Sequence, residues 1–183
     1  MPSILTHAVV PLAMSLAAGR RDGKPVIPRR LLLAGIAAAM LPDADVLAFA
    51  LKIPYADAFG HRGASHSLLF ALILAALGAV CARPLRSTPL QAGLWLGLCT
   101  LSHPLLDAMT SGGLGVALYW PWSNERLFAP WRPILVSPFA NGFFSARGLA
   151  TLLSELRWVW LPMLTGAMLW RLMTRSPRTH DPR

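Results

Sequence analysis

Residues 31–51 read LLLAGIAAAMLPDADVLAFAL, an apolar run whose only charged side chains are Asp43 and Asp45, set just behind Pro42. About 20 apolar residues are what a helix needs to cross the hydrocarbon core of a bilayer. A carboxylate at the centre of such a span costs about 2.5–3.5 kcal/mol on insertion scales. In a chain with only 8 acidic residues, two of them here call for a purpose.

Working outward, three more runs come close to spanning length, at 67–82, 90–109 and 158–173, and a shorter one covers Ile4 to Ala18. The overall balance agrees: 55% of the residues are hydrophobic and 14% charged, outside the range of ordinary soluble domains. The expected fold is therefore all-α, a polytopic membrane helix bundle of about five helices with a long, aromatic-rich outer loop. It forms a single domain over 1–173, followed by a polar tail, 174–183, read as disordered. Cys81 and Cys99 each sit in an apolar stretch, as packing residues without a disulfide framework. The run ending at Ala18 lacks the basic residues that precede the apolar core of a signal peptide, so it reads as a retained first helix.

The formal charge of +9 does not point to nucleic acid, because the basic residues lie in short clusters between apolar runs rather than along one stripe. They mark topology instead. Lys and Arg accumulate on the cytoplasmic side; with five alternating spans, Arg20, Arg21, Lys24, Arg29, Arg30, Arg83, Arg86, Arg171, Arg175, Arg178 and Arg183 share one face. Lys52, Arg62, Arg126, Arg132, Arg147 and Arg157 are spread over the other. The chain then enters with its N-terminus outside and ends inside.

Threading that topology brings the chemistry-bearing residues together. His7 opens the first helix, Asp43 and Asp45 lie toward the outer half of the second, His61 and His66 precede the third, and His103 and Asp107 lie near the outer end of the fourth. All seven reach the outer face, although the helices run in alternating directions. His103 and Asp107 are one turn apart and share a helix face. Imidazole with carboxylate suits a divalent metal, with zinc, manganese and iron as the candidates. A lone His or Asp in an apolar run is more often a hydrogen-bonded packing residue; the convergence of seven is what favours a metal site.

The loop 110–154 carries Tyr119, Trp120, Trp122, Phe128, Trp131, Phe139, Phe143 and Phe144, with Pro121, Pro130, Pro133 and Pro138 between them. It reads as an interfacial aromatic belt. Within it Glu125 is a candidate further ligand or general base, and Arg126 and Arg132 are candidates for bidentate phosphate contacts. Asp57 reads as a solvated loop residue. Glu155 is read as opening the last helix, where a carboxylate suits the helix dipole, and is set aside.

Thr6-His7, Leu41-Pro42-Asp43-Ala44-Asp45, His61-Arg62-Gly63-Ala64-Ser65-His66-Ser67, Ser102-His103-Pro104-Leu105-Leu106-Asp107 and Tyr119-Trp120-Pro121-Trp122 together resemble the YdjM-like family of membrane-bound, metal-dependent hydrolases. The resemblance runs over roughly residues 1–135 and is distantly similar to zinc-dependent phospholipase C and its related nucleases. It implies that Asp45 or Asp43, His66, His103 and Asp107 hold a first metal, and that His7 serves a second ion sharing Asp107. The additional histidines of the soluble enzymes have no counterpart after Asp107 here. The expected activity is hydrolysis of a phosphoester in a membrane lipid or lipid-linked molecule at the outer face of the bacterial inner membrane. Asp43 or Glu125 would take the water's proton, and Arg62 or Arg126 would stabilise phosphoryl oxygens. The alternative is a non-catalytic metal-binding membrane protein or transporter. The Lys and Arg-Pro and Pro-Ser-Gly-His motifs of metal-free lipid phosphatases are absent, as is the His-Glu-x-x-His of zinc proteases.

Overall fold

The computed structural model describes residues 1–138 and 140–174; the tail beyond 174 and Phe139 lie outside the described residues. Among those described, the chain forms five helical rods. The first is α1 (Ile4–Ala18). The second begins as α2 (Arg29–Met40), tightens into a 3-10 turn over Leu41–Val46 and ends in α3 (Leu47–Ala50). Then come α4 (Leu68–Val80) and α5 (Pro89–Ala108). The last rod is α6 (Ala146–Glu155), a π-helical turn over Leu156–Trp160, and α7 (Leu161–Met173).

The helix count agrees with the sequence, but the lengths do not all reach a span. Among the described residues, Arg29–Ala50, at 22 residues and mean hydropathy 1.7, is the one helix long and apolar enough to cross a membrane by itself, whereas α1 and α4 are shorter apolar helices. Helix starts are set by local capping: Ser67 Oγ accepts from Phe70 N and Thr88 Oγ1 from Gln91 N, each relieving an unpaired N–H of the first turn. The loop after Thr110 is also shorter than expected, because α6, capped by Ser145, begins at Ala146 and not at Glu155, where the sequence suggested a helix would begin. Glu155 consequently sits at the C-terminal end of α6, fully buried, and does not open a helix.

The fold is not purely helical. Arg20–Arg21 and Lys24–Pro25 form a two-stranded antiparallel ribbon, with Arg20 opposite Pro25. Asp22 and Gly23 both take positive φ, 50° and 75°, the backbone that a tight primed hairpin turn requires and that Asp-Gly favours. That dipeptide was the available signal. The ribbon reverses the chain between α1 and α2.

Packing is close where small residues meet. Gly78, Gly93 and Gly97 let α4 and α5 approach until the backbone oxygens of Ala92 and Ala75 and the Ala75 methyl group occupy the space a side chain would need. Gly35 of α2 faces Trp95 and Cys99 of α5 in the same way. Ile27, Leu31, Ala39, Ala82, Ala92, Trp95 and Cys99 form the apolar core; Cys99 is buried there, but Cys81 is exposed rather than part of the core. α1 and α7 run parallel: Thr6 is bonded to Trp160 at one end and Gly19 lies beside Arg171 at the other.

The loop 110–134 folds back over the end of the bundle. Val116 and Leu127 exchange backbone hydrogen bonds, Ala117 N donates to Arg62 O, and Ala129 N donates to Ala108 O. Val116, Ala117 and Ile134 are buried, while Tyr119, Trp122 and Trp131 point outward, as an interfacial belt would. Replacing Gly35 by Leu forces bulk against the Trp95 ring and should cost about 1–3 kcal/mol, read as a lowered thermal midpoint in detergent; an unchanged midpoint would contradict the α2–α5 packing.

Candidate metal centre

The site is built from breaks in helices as much as from helices. Pro42 has no N–H to continue the α-helical ladder to the carbonyl four residues back, and just before this break Ala39 O accepts from His103 Nδ1 at 2.7 Å. The same break starts the 3-10 turn that carries Asp43, 4% exposed, into the interior and sets Asp45 beside the 61–66 loop. From α5, His103 and Asp107 lie on the buried face with Ala92, Cys99 and Thr100. The 61–66 loop is drawn inward by Arg62, whose φ of +62° is a conformation that costs a non-glycine residue on the order of 1–3 kcal/mol. It is held there by burial of the whole side chain.

Asp43, His66, His103 and Asp107 form one group, with a potential ligand atom of each within 4.8 Å of every other. His103 Nε2 lies 3.3 Å from Asp43 Oδ1 and 3.0 Å from His66 Nε2, and His66 Nε2 lies 3.4 Å from Asp107 Oδ2. A tetrahedral ion with bonds near 2.0–2.1 Å separates its ligands by about 3.3 Å, so these spacings fit one.

The tautomers follow from the outer contacts. His103 Nδ1 must donate to the Ala39 carbonyl, and His66 Nδ1 faces the Asp45 carboxylate at 3.1 Å. Both Nε2 lone pairs therefore converge in the neutral pair, and two converging lone pairs need a proton or a metal ion between them. Burial acts to strip His66 of a proton, but the nearby Asp107 and Asp45 carboxylates outweigh it and raise its pKa to about 9. A proton there meets the need of the imidazole pair alone. Among the described residues, eight buried side-chain nitrogen and oxygen atoms have no hydrogen-bond partner, and six of them belong to His7, Asp43 and Asp107.

His7 stacks on His103, ring centroids 3.6 Å apart and 14° from parallel. Its Nε2 is 3.7 Å from Asp107 Oδ1 and 3.9 Å from Asp43 Oδ2. Each carboxylate thus turns one oxygen to the His66–His103 pair and the other to His7, the disposition of bridging ligands.

The remaining candidates sit further out. Asp45 accepts from Arg62 N at 2.9 Å, from Ser65 Oγ at 2.7 Å and from His61 Nδ1, so it orients His66 from behind, and His61 lies on the far side of it. Arg62 Nε is 2.9 Å from Asp107 Oδ2, an ion pair by distance in which the N–H is not aligned for a hydrogen bond. Its NH1 donates to Gly112 O and its NH2 to Thr110 Oγ1. Arg126, a candidate phosphate clamp by sequence, directs NH1 at His61 O and NH2 at Tyr55 O and Asp57 O; partial burial lowers its pKa. Glu125 is exposed and no hydrogen bond or ion pair joins it to the cluster. Arg132 lies over the Phe128 ring. Ser65 was legible within the quoted motif and Thr110 three residues past Asp107, but the Ala39 carbonyl carries no signal in sequence.

Residues 1–177 match the model of the family described as YdjM inner membrane protein. The chain belongs to the YdjM family. It is also 49% identical over 173 residues to the inner membrane protein YbcI of Escherichia coli K12, an alignment covering 93% of this chain and 98% of that protein. No solved structure matches. As a YdjM-family member the chain is an integral protein of the bacterial inner membrane, and the buried Asp/His group is one able to hold a metal ion.

If Asp45 orients His66 and binds no ion itself, Asp45→Asn should weaken zinc affinity roughly 10–100-fold while His103→Ala abolishes binding, measured by competition with a chromogenic chelator. Equal loss in both would make Asp45 a ligand.

Proposed function

We propose that this YdjM-family protein is a multi-pass, metal-dependent hydrolase that cleaves a phosphoester of a membrane lipid or lipid-linked molecule at the outer face of the inner membrane. The observation that carries the reading is the cluster of unpartnered atoms on His7, Asp43 and Asp107 around two converging imidazole lone pairs. Arg62 beside Asp107 offsets part of the charge of the two buried aspartates, and leaving the rest without a cation is costly.

Multi-pass insertion is supported by apolar side chains facing outward on every rod: Leu5 and Leu12, Leu33, Leu72 and Leu77, Leu94 and Leu98, Met168 and Leu169 are each more than two-fifths exposed. Lipid would cover them. Orientation is supported by the gathering of basic residues at the opposite end from the site, where Arg30 reaches Pro84 O and Arg171 lies beside Gly19. By the positive-inside rule that end is cytoplasmic, leaving the site outside.

Asp43, His66, His103 and Asp107 would hold a first ion, and Asp107 with His7 would hold a second, leaving Asp43 Oδ2 free. Zinc fits the ligand set, with manganese and iron as alternatives. When bound, such an ion would polarise a phosphoryl group and acidify a water. Asp43 Oδ2, 3.9 Å from His7 Nε2, would accept the water's proton. Arg62, locked beside Asp107, would offset charge on the phosphoryl oxygens, and Arg126 would keep the 55–61 loop in place through its carbonyl contacts. A cavity of about 440 Å³ lined by Leu41, Phe59, Phe70, Asp45 and Ser65 gives an apolar approach suited to a lipid chain.

The burial of every ligand favours a second reading, a structural ion that ties the helices together. Purified protein should carry stoichiometric zinc, manganese or iron by mass spectrometry, lost in His66→Ala and Asp107→Ala, and should release phosphate or headgroup from lipid phosphoesters in a chelator-sensitive way. Arg62→Lys should lower turnover roughly 100-fold with metal content kept. Metal without turnover on any lipid phosphoester would leave the structural ion; no metal after reconstitution would remove both.

A further inference from the structure

Glu155 is fully buried, 152 positions from the residue it holds most tightly, and no step of the proposed chemistry uses it. Its Oε1 accepts from the backbone N–H of Ser3, and its Oε2 accepts from Ser3 Oγ and, at 2.7 Å, from Thr6 Oγ1. Thr6 Oγ1 in turn accepts from Trp160 Nε1 at 2.7 Å. Ser3 is the residue that precedes the first turn of α1, yet its own side chain caps nothing in that helix. The carboxylate that meets the start of α1 therefore comes from the other end of the chain, where the unpaired N–H groups and the positive end of the helix dipole favour it.

The π turn makes the grip two-pronged. In an α-helix, residues five apart lie about 140° apart around the axis, so Glu155 and Trp160 would face different neighbours. In a π turn, bonding runs from i to i+5 and the wider turn brings residues five apart closer to one side of the axis. Leu156–Trp160 is such a turn, and both side chains reach Thr6. The residue after Thr6 is His7, fully buried, stacked on His103 and facing both carboxylates.

We infer that Glu155 is a positioning residue: through Ser3 and Thr6, backed by Trp160, it sets the depth and rotation of α1 so that His7 faces Asp43 and Asp107. One buried carboxylate accepting three hydrogen bonds ties its donors to one position, because each donor left unmet carries its full desolvation cost. A sliding or rolling α1 would leave three buried donors unmet. The consequence for metal affinity rests on the proposed function; the placement of His7 does not.

The test uses the full chain in detergent, after chelator treatment, with diethyl pyrocarbonate labelling of each histidine read by mass spectrometry. Wild type should protect His7. Glu155→Ala should raise His7 labelling about tenfold or more while His61, on the opposite side of the cluster, stays near wild type. Glu155→Gln should restore protection, because Gln can accept from Ser3 N and donate to the hydroxyl oxygens of Ser3 and Thr6. In parallel, zinc affinity should fall at least tenfold in Glu155→Ala and recover in Glu155→Gln. Unchanged His7 labelling in Glu155→Ala, equal labelling of all histidines, or no rescue by Gln would each overturn the positioning role. Wild type that binds none of zinc, manganese and iron would sink the hydrolase reading, and the labelling would still decide whether Glu155 places His7.

Discussion

Asp43 and Asp107 carry negative charge into a place where water does not follow, and the site end of the molecule is arranged around that charge. His66 and His103 turn their Nε2 atoms toward these two carboxylates, His7 lies against their outer oxygens, and Arg62 abuts Asp107. Without compensation, burial of a carboxylate costs several kcal/mol, more than one helix contact returns. The surrounding elements supply it: a helix broken at Pro42, a loop forced through positive φ at Arg62, and a covering segment in which Val116 and Ile134 are buried. Each spends local stability to bring a donor or a cation to the two aspartates.

The outer contacts show how the imidazoles are held ready. Ala39 O and Asp45 fix the two tautomers from behind, and Asp45 is itself satisfied by Ser65, His61 and the Arg62 amide. Arg126 binds three carbonyls of the 55–61 loop, so its charge serves the backbone of the segment that carries His61 and Arg62. These are the supports that make first contacts rigid enough to select a metal. The opposite end of the bundle does different work: small residues at Gly35, Gly78 and Gly93 allow close helix contact, and the basic residues collect there.

Much of this was legible along the chain. Runs of apolar residues gave the five rods, since period and length are local properties. The convergence of His7, Asp43, His66, His103 and Asp107 followed from alternating helix direction, which needs no atomic detail. The Asp22-Gly23 hairpin was equally readable but is too short to register in a search for spans.

What tertiary structure alone decided is the division of labour among the polar residues. Asp43 and Asp45 are two positions apart and chemically identical, yet one enters the ligand group and the other stands behind His66, because a 3-10 turn separates their directions. Sequence placed Glu155 at the start of a helix; a π turn and a contact with Ser3 across 152 positions put it at the start of a different one. Sequence by itself determined which residues are apolar enough to be helices and which end of the bundle each polar residue reaches, because those depend on composition and length. Which oxygen faces an ion, which faces a histidine and which holds a helix depends on rotation about helix axes, and only packing against a neighbour sets that angle.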